Sequence, residues 1–439
     1  MGDRLFGTDG VRGVANRDLT PDLAMGLGRA AAEPLSIGPV LVGRDTRRSG
    51  AMLSSAFQAG VHSVGIDTVD VGIFPSGGIA RLVADSDAVM GAVITASHNP
   101  APDNGIKLLD GNGFKLPDDA EDAIQARLED DRPWRAPTGH EIGTTFPRSD
   151  ALDRYLDLLT DGFAYSLRGL SVTLDCANGA AYKAAPALFE RLGADVESIA
   201  TTPDGTNIND GVGATATGAL AKAAAGRLGL AFDGDADRLI AVDEDGHVAD
   251  GDVLMAVIAH HLHERGRLPH DTVVATVMSN LGFRKALTGL GIRVAETKVG
   301  DRYVLAAMRQ VGATLGGEQS GHVIFLDQAP TGDGLLTALR LMEVVAATGK
   351  PLAELRQIMT TYPQVLRNVR VVDTTALNDA EPVWDEIARV EDELGTDGRV
   401  LVRASGTEPV IRVMVEAPDD DSARDLVGRI CDVVRAELG

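Results

Sequence analysis

Asp233, Asp235 and Asp237 stand at alternate positions in Asp233-Gly-Asp-Ala-Asp-Arg238. Carboxylates at that spacing in extended or looped backbone can converge on one hard cation. The opening resembles a calcium loop, with Glu244 at the twelfth position, but Arg238 occupies the place that such a loop gives to glycine. The next residues, Leu239-Ile-Ala-Val242, read as a strand. The expectation is therefore Mg²⁺ on three carboxylates, with coordination left over for a phosphate oxygen. The plain alternative is a solvated acidic turn. A second stretch, Gly91-Ala-Val-Ile-Thr-Ala-Ser97-His98-Asn-Pro100, runs from a buried strand into a loop, because Asn99-Pro100 breaks regular structure. Ser97 there can act as a nucleophile or carry a phosphoryl group; otherwise it is an ordinary turn serine.

Further groups suit the same chemistry. Arg12, in the glycine-rich Phe6-Gly-Thr-Asp-Gly-Val-Arg-Gly13, suits a phosphate or carboxylate, the alternative being a capping turn before the helix Pro21–Ala32. Lys107 lies ten residues beyond Ser97 and can return to its loop to stabilise charge or move a proton; otherwise it is a surface lysine. Gly317-Glu318-Gln-Ser320-Gly-His322 mixes the donors and acceptors that sugar hydroxyls need. In Arg403-Ala-Ser405-Gly406-Thr407-Glu-Pro-Val-Ile-Arg412, backbone N–H groups, hydroxyls and two guanidiniums suit an anion. For this loop, and for the third, an ordinary hairpin turn is the alternative. His260, His261 and His263 lack the i, i+4 pair of a zinc site. Gly26-Leu-Gly28 has no strand before it and is no dinucleotide fingerprint.

The loops need elements to hold them. Strand, helix, strand, helix, strand recurs three times, and the third strands lead to Ser97, Asp233 and Glu318. Within these units, helices are expected at Ala214–Arg227 and Leu281–Leu290. The tail reads as three strands and two helices. The fold class is α/β: three similar α/β sheet domains and a small C-terminal α+β domain around one central cleft. The expected domains are 1–150 (phosphoserine), 151–250 (metal-binding), 251–362 (sugar-binding) and 363–439 (phosphate-binding).

The totals agree. A chain of 439 residues is long for one core. A net charge of −23 argues against nucleic acid or an anionic membrane as partner. Two cysteines, Cys176 and Cys431, argue for a reducing compartment, and no apolar run approaches a membrane span. The expected location is cytoplasmic.

Taken together and in order, the Ser97, Asp233, Glu318 and Arg403 loops resemble the four signature loops of the α-D-phosphohexomutase family, and the match runs nearly end to end. The N-terminal Phe6–Gly13 segment, Lys298-Val-Gly-Asp-Arg302 and Gln319 resemble the branch that acts on glucosamine phosphates. The phosphomannomutase/phosphoglucomutase branch usually has methionine in place of Gln319 and a histidine near Gly300-Asp301. The resemblance implies isomerisation of glucosamine 6-phosphate to glucosamine 1-phosphate, feeding UDP-N-acetylglucosamine and cell-wall precursor synthesis. Phosphoserine 97 would work through a sugar 1,6-bisphosphate, with Mg²⁺ on Ser97, Asp233, Asp235 and Asp237. Arg12, His98, Lys107 and Arg238 would support the transfer. Glu318, Ser320 and His322 would meet the sugar. Arg403, Ser405, Gly406, Thr407 and Arg412 would hold the non-reacting phosphate. A homodimer, and phosphorylation of Ser97 by the enzyme itself or a kinase, are further expectations of the resemblance. Still open are a mannose or glucose phosphate mutase, a metal-dependent sugar phosphatase that releases free phosphate, and a sugar-phosphate-binding protein without turnover.

Overall fold

Three of the four sheets repeat one strand order, and that order delivers the reactive loops. The computed structural model describes residues 4–7, 9–405 and 408–439. The first sheet contains β1 (Val11–Val14), β2 (Val40–Arg44), β3 (Thr68–Ile73), β4 (Met90–Ile94), β5 (Asp103–Asp110) and β6 (Thr145–Pro147), in the order β1-β5-β4-β2-β3-β6. The second contains β7 (Ser171–Asp175), β8 (Asp195–Ile199), β9 (Leu228–Phe232), β10 (Leu239–Val242) and β11 (Val248–Ala249), in the order β11-β10-β9-β7-β8. The third contains β12 (Thr272–Thr276), β13 (Arg293–Thr297), β14 (Leu315–Gly317) and β15 (Val323–Phe325), in the order β13-β12-β14-β15. The repeated unit is four strands, β2 to β5, β7 to β10 and β12 to β15: its first strand lies parallel between the second and third, and its fourth runs antiparallel against the third. The Ser97, Asp233 and Glu318 loops all connect a third strand to its antiparallel neighbour. They therefore leave the carboxyl end of a parallel strand, where open α/β sheets bind ligands.

Burial explains why these third strands read as short apolar runs: β4, β9 and β14 are buried throughout. In the first sheet the helices Pro21–Ala32 and Gly50–Ser63 cross almost backbone to backbone. A Cβ on Gly28 would lie 2.1 Å from the Phe57 carbonyl oxygen, and one on Gly60 would lie 2.0 Å from that of Met25. That close approach, not a dinucleotide, accounts for Gly28. Phe57, Leu53, Leu27 and Val42 fill the layer behind it, each side chain contributing about 1.5–3 kcal/mol of burial.

Several elements differ from expectation. The Asp103–Asp110 strand was hidden by its loop-like Pro102 and Asn104-Gly105. The helix expected at Ala214–Arg227 spans only Gly218–Ala223. Its beginning is held to the sheet, with Gly213 N–H donating to Asp175 Oδ2 at 2.8 Å and Ala214 N–H to the Phe232 carbonyl at 2.9 Å. Gly226, at φ +79°, turns the chain after it.

The chain forms two compact units, Met1–Met278 with Ile292–Gln357, and Ser279–Gly291 with Ile358–Gly439. The helix Leu281–Gly289 groups with the second unit, where Leu281 N–H meets the Glu416 carboxylate and Asn280 Nδ2 donates to the Tyr362 carbonyl. That unit's sheet is β16 (Gln364–Arg370), β17 (Arg399–Ala404) and β18 (Val410–Glu416), antiparallel, in the order β16-β18-β17. Helices Glu381–Leu394 and Asp420–Leu438 contribute Val390, Val427 and Ile430 to its core. Cys176 and Cys431 are buried free thiols. Among the described residues, no helix is long and apolar enough to cross a membrane.

Candidate active site

Ser97 is held in a left-handed conformation, φ +52°, which costs a residue with a Cβ about 1–3 kcal/mol. Its surroundings offset that cost. Its N–H donates to Thr95 Oγ1 at 2.9 Å, and its carbonyl accepts from Arg47 Nη2 and from Asn209 Nδ2, each at 2.9 Å. Arg47 does more. Its fully buried guanidinium also donates to the carbonyls of Asn99, Pro100 and Asp103. Asp45 anchors it, accepting from Arg47 Nε at 2.8 Å and from Thr95 Oγ1 at 2.6 Å. The result aims the Ser97 hydroxyl into the second sheet's loop, where it donates to Asp233 Oδ2 at 2.6 Å. His98 Nδ1 lies 3.4 Å from the same hydroxyl.

The three aspartates converge as their spacing suggests. Asp233, Asp235 and Asp237 are buried, and one ligand oxygen from each lies within 4.8 Å of the others. Oδ1 of Asp235 and Oδ1 of Asp237 are buried without a hydrogen-bond partner. Orphaned acceptors on acid groups suit a hard divalent cation, so this donor set fits Mg²⁺. Among the described residues no other His, Cys, Asp and Glu group is arranged for a metal. Glu244 caps backbone instead, accepting from Leu352 N–H and Ala353 N–H. His263 pairs with Asp271 at 2.8 Å.

Charge around the triad is graded. Burial, then Asp237 and Asp235, pushes Asp233 well above the usual carboxylate range. At Asp237 burial acts the same way, but Lys107, His322 and Arg238 outweigh it and hold that carboxyl well below the usual range. The β4–β5 pairing sets Lys107 opposite Val93, and its ammonium reaches Asp235 Oδ2 at 3.0 Å and Asp237 Oδ2 at 3.3 Å. Burial disfavours that charge, yet Asp235, Asp237 and Asp9 raise the lysine above its ordinary value. His322 Nδ1 lies 3.7 Å from Asp237 Oδ2 and Nε2 lies 3.9 Å from Asp301 Oδ2. Burial works against the imidazolium there too, but Asp237, Asp301 and Glu318 raise its pKa. At His98 burial, helped by Arg238, lowers it.

Arg12 pairs with Asp9 at 3.1 Å, and Arg238 N–H donates to Asp233 Oδ1 at 3.2 Å. The Nε atoms of both arginines are buried without a hydrogen-bond partner, as a site prepared for an anion would leave them. Glu318 Oε1 accepts from Gly300 N–H at 2.9 Å, and Ser320 is exposed.

In the second unit the antiparallel register sets Arg403 directly opposite Arg412. Like charges so placed repel, and burial together with Arg412 lowers the pKa of Arg403. Arg412 Nη2 lies 3.5 Å from Ser405 Oγ and 3.4 Å from Glu408 Oε2. Two guanidiniums beside a hydroxyl suit a dianion. Gly406 and Thr407 lie outside the described residues.

Sequence reasoning missed Asp45 and Arg47, Asn209, Ser76 (whose Oγ donates to Asp235 Oδ2 at 2.6 Å) and the Asp9–Lys115–Asp301 chain. Asp45-Thr-Arg47 follows β2 at the same sheet end as Ser97, a position that could have marked it.

Four domain descriptions of the phosphoglucomutase/phosphomannomutase family match the chain in order: α/β/α domain I at residues 3–133, domain II at 153–246, domain III at 250–362 and the C-terminal domain at 366–433. The chain belongs to this family of α-D-phosphohexomutases. The phosphoglucosamine mutase of Acidothermus cellulolyticus is 51% identical over 99% of this chain and 96% of its own length. That of Carboxydothermus hydrogenoformans is 51% identical over 98% and 99%. A phosphoglucomutase/phosphomannomutase family structure from Burkholderia thailandensis matches with a TM-score of 0.82 at 26% identity, covering 100% of this chain and 98% of that one. At 19% identity the fold alone is shared with Aspergillus fumigatus N-acetylphosphoglucosamine mutase, solved with GlcNAc-6P and magnesium, with a TM-score of 0.70 over 99% of this chain and 96% of that one.

Proposed function

We propose that this phosphohexomutase interconverts glucosamine 6-phosphate and glucosamine 1-phosphate through a phosphoryl group carried on Ser97. The observation that carries the reading is the Ser97 hydroxyl, strained into place and donating at 2.6 Å to a carboxylate of a buried aspartate triad. A serine held that way is built to give and receive a phosphoryl group. In the forward direction, O1 of glucosamine 6-phosphate bonds to phosphorus as the bond from phosphorus to Ser97 Oγ breaks. The O1 proton leaves the sugar, and Oγ regains a proton. The sugar 1,6-bisphosphate turns over, and the reverse exchange at O6 returns a phosphoryl group to Ser97 and frees glucosamine 1-phosphate.

Asp233, Asp235, Asp237 and a phosphoryl oxygen on Ser97 would hold Mg²⁺, which neutralises charge on the transferring group when bound. The chain's own cations share that work: Lys107 over Asp235 and Asp237, Arg12 with an Nε that makes no hydrogen bond, and Arg238, whose Nε lies 3.8 Å from Asp237 Oδ1. His98 beside Oγ and His322 beside Asp237 would assist the transfer. Glu318 and Ser320 would meet sugar hydroxyls. Arg403, Ser405, Gly406, Thr407 and Arg412 would hold the phosphate that is not reacting. The proposed setting is the cytoplasm, where the product supplies UDP-N-acetylglucosamine synthesis.

The sister reading is a mannose or glucose phosphate mutase. Gln319, together with relatives of about half identity that carry the glucosamine name, supports the amino sugar. The test is kcat/KM for glucosamine 1-phosphate against glucose 1-phosphate and mannose 1-phosphate, with Mg²⁺ and a bisphosphate primer present. One differential hydrogen bond in a site discriminates by roughly 10-fold or more, so glucosamine 1-phosphate is expected to lead by at least that factor. A lead for mannose or glucose would move the chain to the sister branch.

A further inference from the structure

Three consecutive carbonyls of the metal loop each accept a hydrogen bond from the start of a different helix. Gly234 O accepts from Ala180 N–H at 2.8 Å, ahead of the helix Ala181–Arg191. Asp235 O accepts from Ser76 N–H at 2.9 Å, at the start of Ser76–Ala84. Ala236 O accepts from Gly334 N–H at 2.9 Å, at the start of Gly334–Thr348. Ala236 itself sits at φ +59°, so the loop is held in a conformation that an alanine does not choose unaided. Close approach makes the convergence possible. A Cβ on Gly179 would lie 2.4 Å from Gly234 O, and one on Gly334 would lie 2.9 Å from Ala236 O.

The third helix is fixed by a residue that the chemistry does not use. Asp333 is buried and caps it, its Oδ1 accepting from Leu335 N–H at 3.0 Å and Leu336 N–H at 3.1 Å. The hydroxyl of Tyr155, which is fully buried, donates to the same carboxylate at 2.8 and 3.0 Å. Asp333 is also wedged against the second helix, since a Cβ on Gly77 would lie 2.7 Å from Asp333 Cβ.

We propose that Asp333, locked by Tyr155, is a positioning residue for the metal loop: it sets the helix start that holds Ala236, and thereby the spacing of Asp235 and Asp237. The inference rests on the reading of the triad as a Mg²⁺ site. Groups bonded directly to metal ligands govern affinity by about 10- to 100-fold, and Asp333, which acts through the Gly334 N–H on the Ala236 carbonyl, is expected at the lower end of that range.

The test is calorimetric Mg²⁺ binding, and Mn²⁺ binding by electron paramagnetic resonance, on the chelator-stripped full chain, with thermal unfolding alongside. Asp333→Ala is expected to weaken Mg²⁺ binding about 10-fold. Asp333→Asn keeps a capping oxygen and is expected to stay within about twofold of wild type. A residue that only stabilises the fold would lower Tm in Asp333→Ala and leave the metal affinity unchanged, and that result would overturn the proposal. Should Asp333→Ala not fold, Tyr155→Phe decides: it frees the carboxylate while leaving the cap, and affinity weakened by about threefold or more supports the proposal, whereas unchanged affinity overturns it. Asp235→Asn separates the two readings. If it binds Mg²⁺ as well as wild type does, the triad is not the metal site and the premise falls. If it loses binding while the Asp333 and Tyr155 variants do not, only this inference falls.

Discussion

Replacing Arg47 by alanine is expected to lower kcat/KM by about 10²-fold or more, although Arg47 touches none of the reacting atoms. The size follows from placement, since an error of about 1 Å in a reacting group costs on the order of 10²-fold. Arg47 binds the carbonyls of Ser97, Asn99, Pro100 and Asp103, which are the backbone of the phosphoserine loop. Without it Ser97 has less reason to remain at φ +52°, and the hydroxyl leaves its line to Asp233. Alanine also strands the Asp45 carboxylate, which is fully buried; breaking such a pair from one side costs about 3–5 kcal/mol. Stability and activity are separated by Arg47→Lys. Lysine keeps the charge near Asp45 but lacks the planar fork that reaches several carbonyls at once. Arg47→Lys is therefore expected to recover much of the lost Tm and little of the lost kcat/KM. Full activity in a folded Arg47→Ala protein would contradict the placement argument.

The second large effect is expected from Asp235→Asn, with kcat reduced by about 10³-fold, the equivalent of roughly 4 kcal/mol at about 1.4 kcal/mol per tenfold. Asparagine is close in shape and can still accept from Ser76 Oγ, which lies 2.6 Å from Oδ2. What it removes is the charge that pairs with Lys107 at 3.0 Å, together with a carboxylate whose other oxygen is buried and unpartnered. A Mg²⁺ titration checks this directly. The variant should need far more Mg²⁺ for half-maximal activity and should not reach the wild-type plateau. A plateau equal to wild type at the same Mg²⁺ would remove Asp235 from the metal set.

Much of this site was legible because its residues are local. The alternate spacing of the aspartates in Asp233-Gly-Asp-Ala-Asp marks them as one ligand set, and Ser97 follows a strand that an apolar run announces. The alternation of strands and helices disclosed the three α/β layers. What stayed hidden depends on pairing between distant segments. Lys107 itself was expected beside the Ser97 loop, but its contacts with Asp235 and Asp237 arise because Asp103–Asp110 adds antiparallel to β4, and no spacing within the chain states that register. Arg47, in a run of charged residues before a helix, has no local mark of complete burial. Asp333 reads as an ordinary cap, and only the fold sets its helix against Ala236. The expected Ala214–Arg227 helix failed for a related reason: Asp175 and Phe232, neighbours only in the sheet, hold its beginning in a turn against the sheet.

The most direct test of the central claim is to follow phosphorus on Ser97. Protein incubated with Mg²⁺ and isotopically labelled glucosamine 1,6-bisphosphate, then digested, should carry one labelled phosphoryl group on the peptide that contains Ser97. Addition of unlabelled glucosamine 6-phosphate should discharge it into sugar bisphosphate at least as fast as kcat, and Ser97→Ala protein should take up no label and show no turnover. Label that appears on another residue, that discharges more slowly than turnover, or that is dispensable because Ser97→Ala remains active would contradict a phosphoserine mechanism.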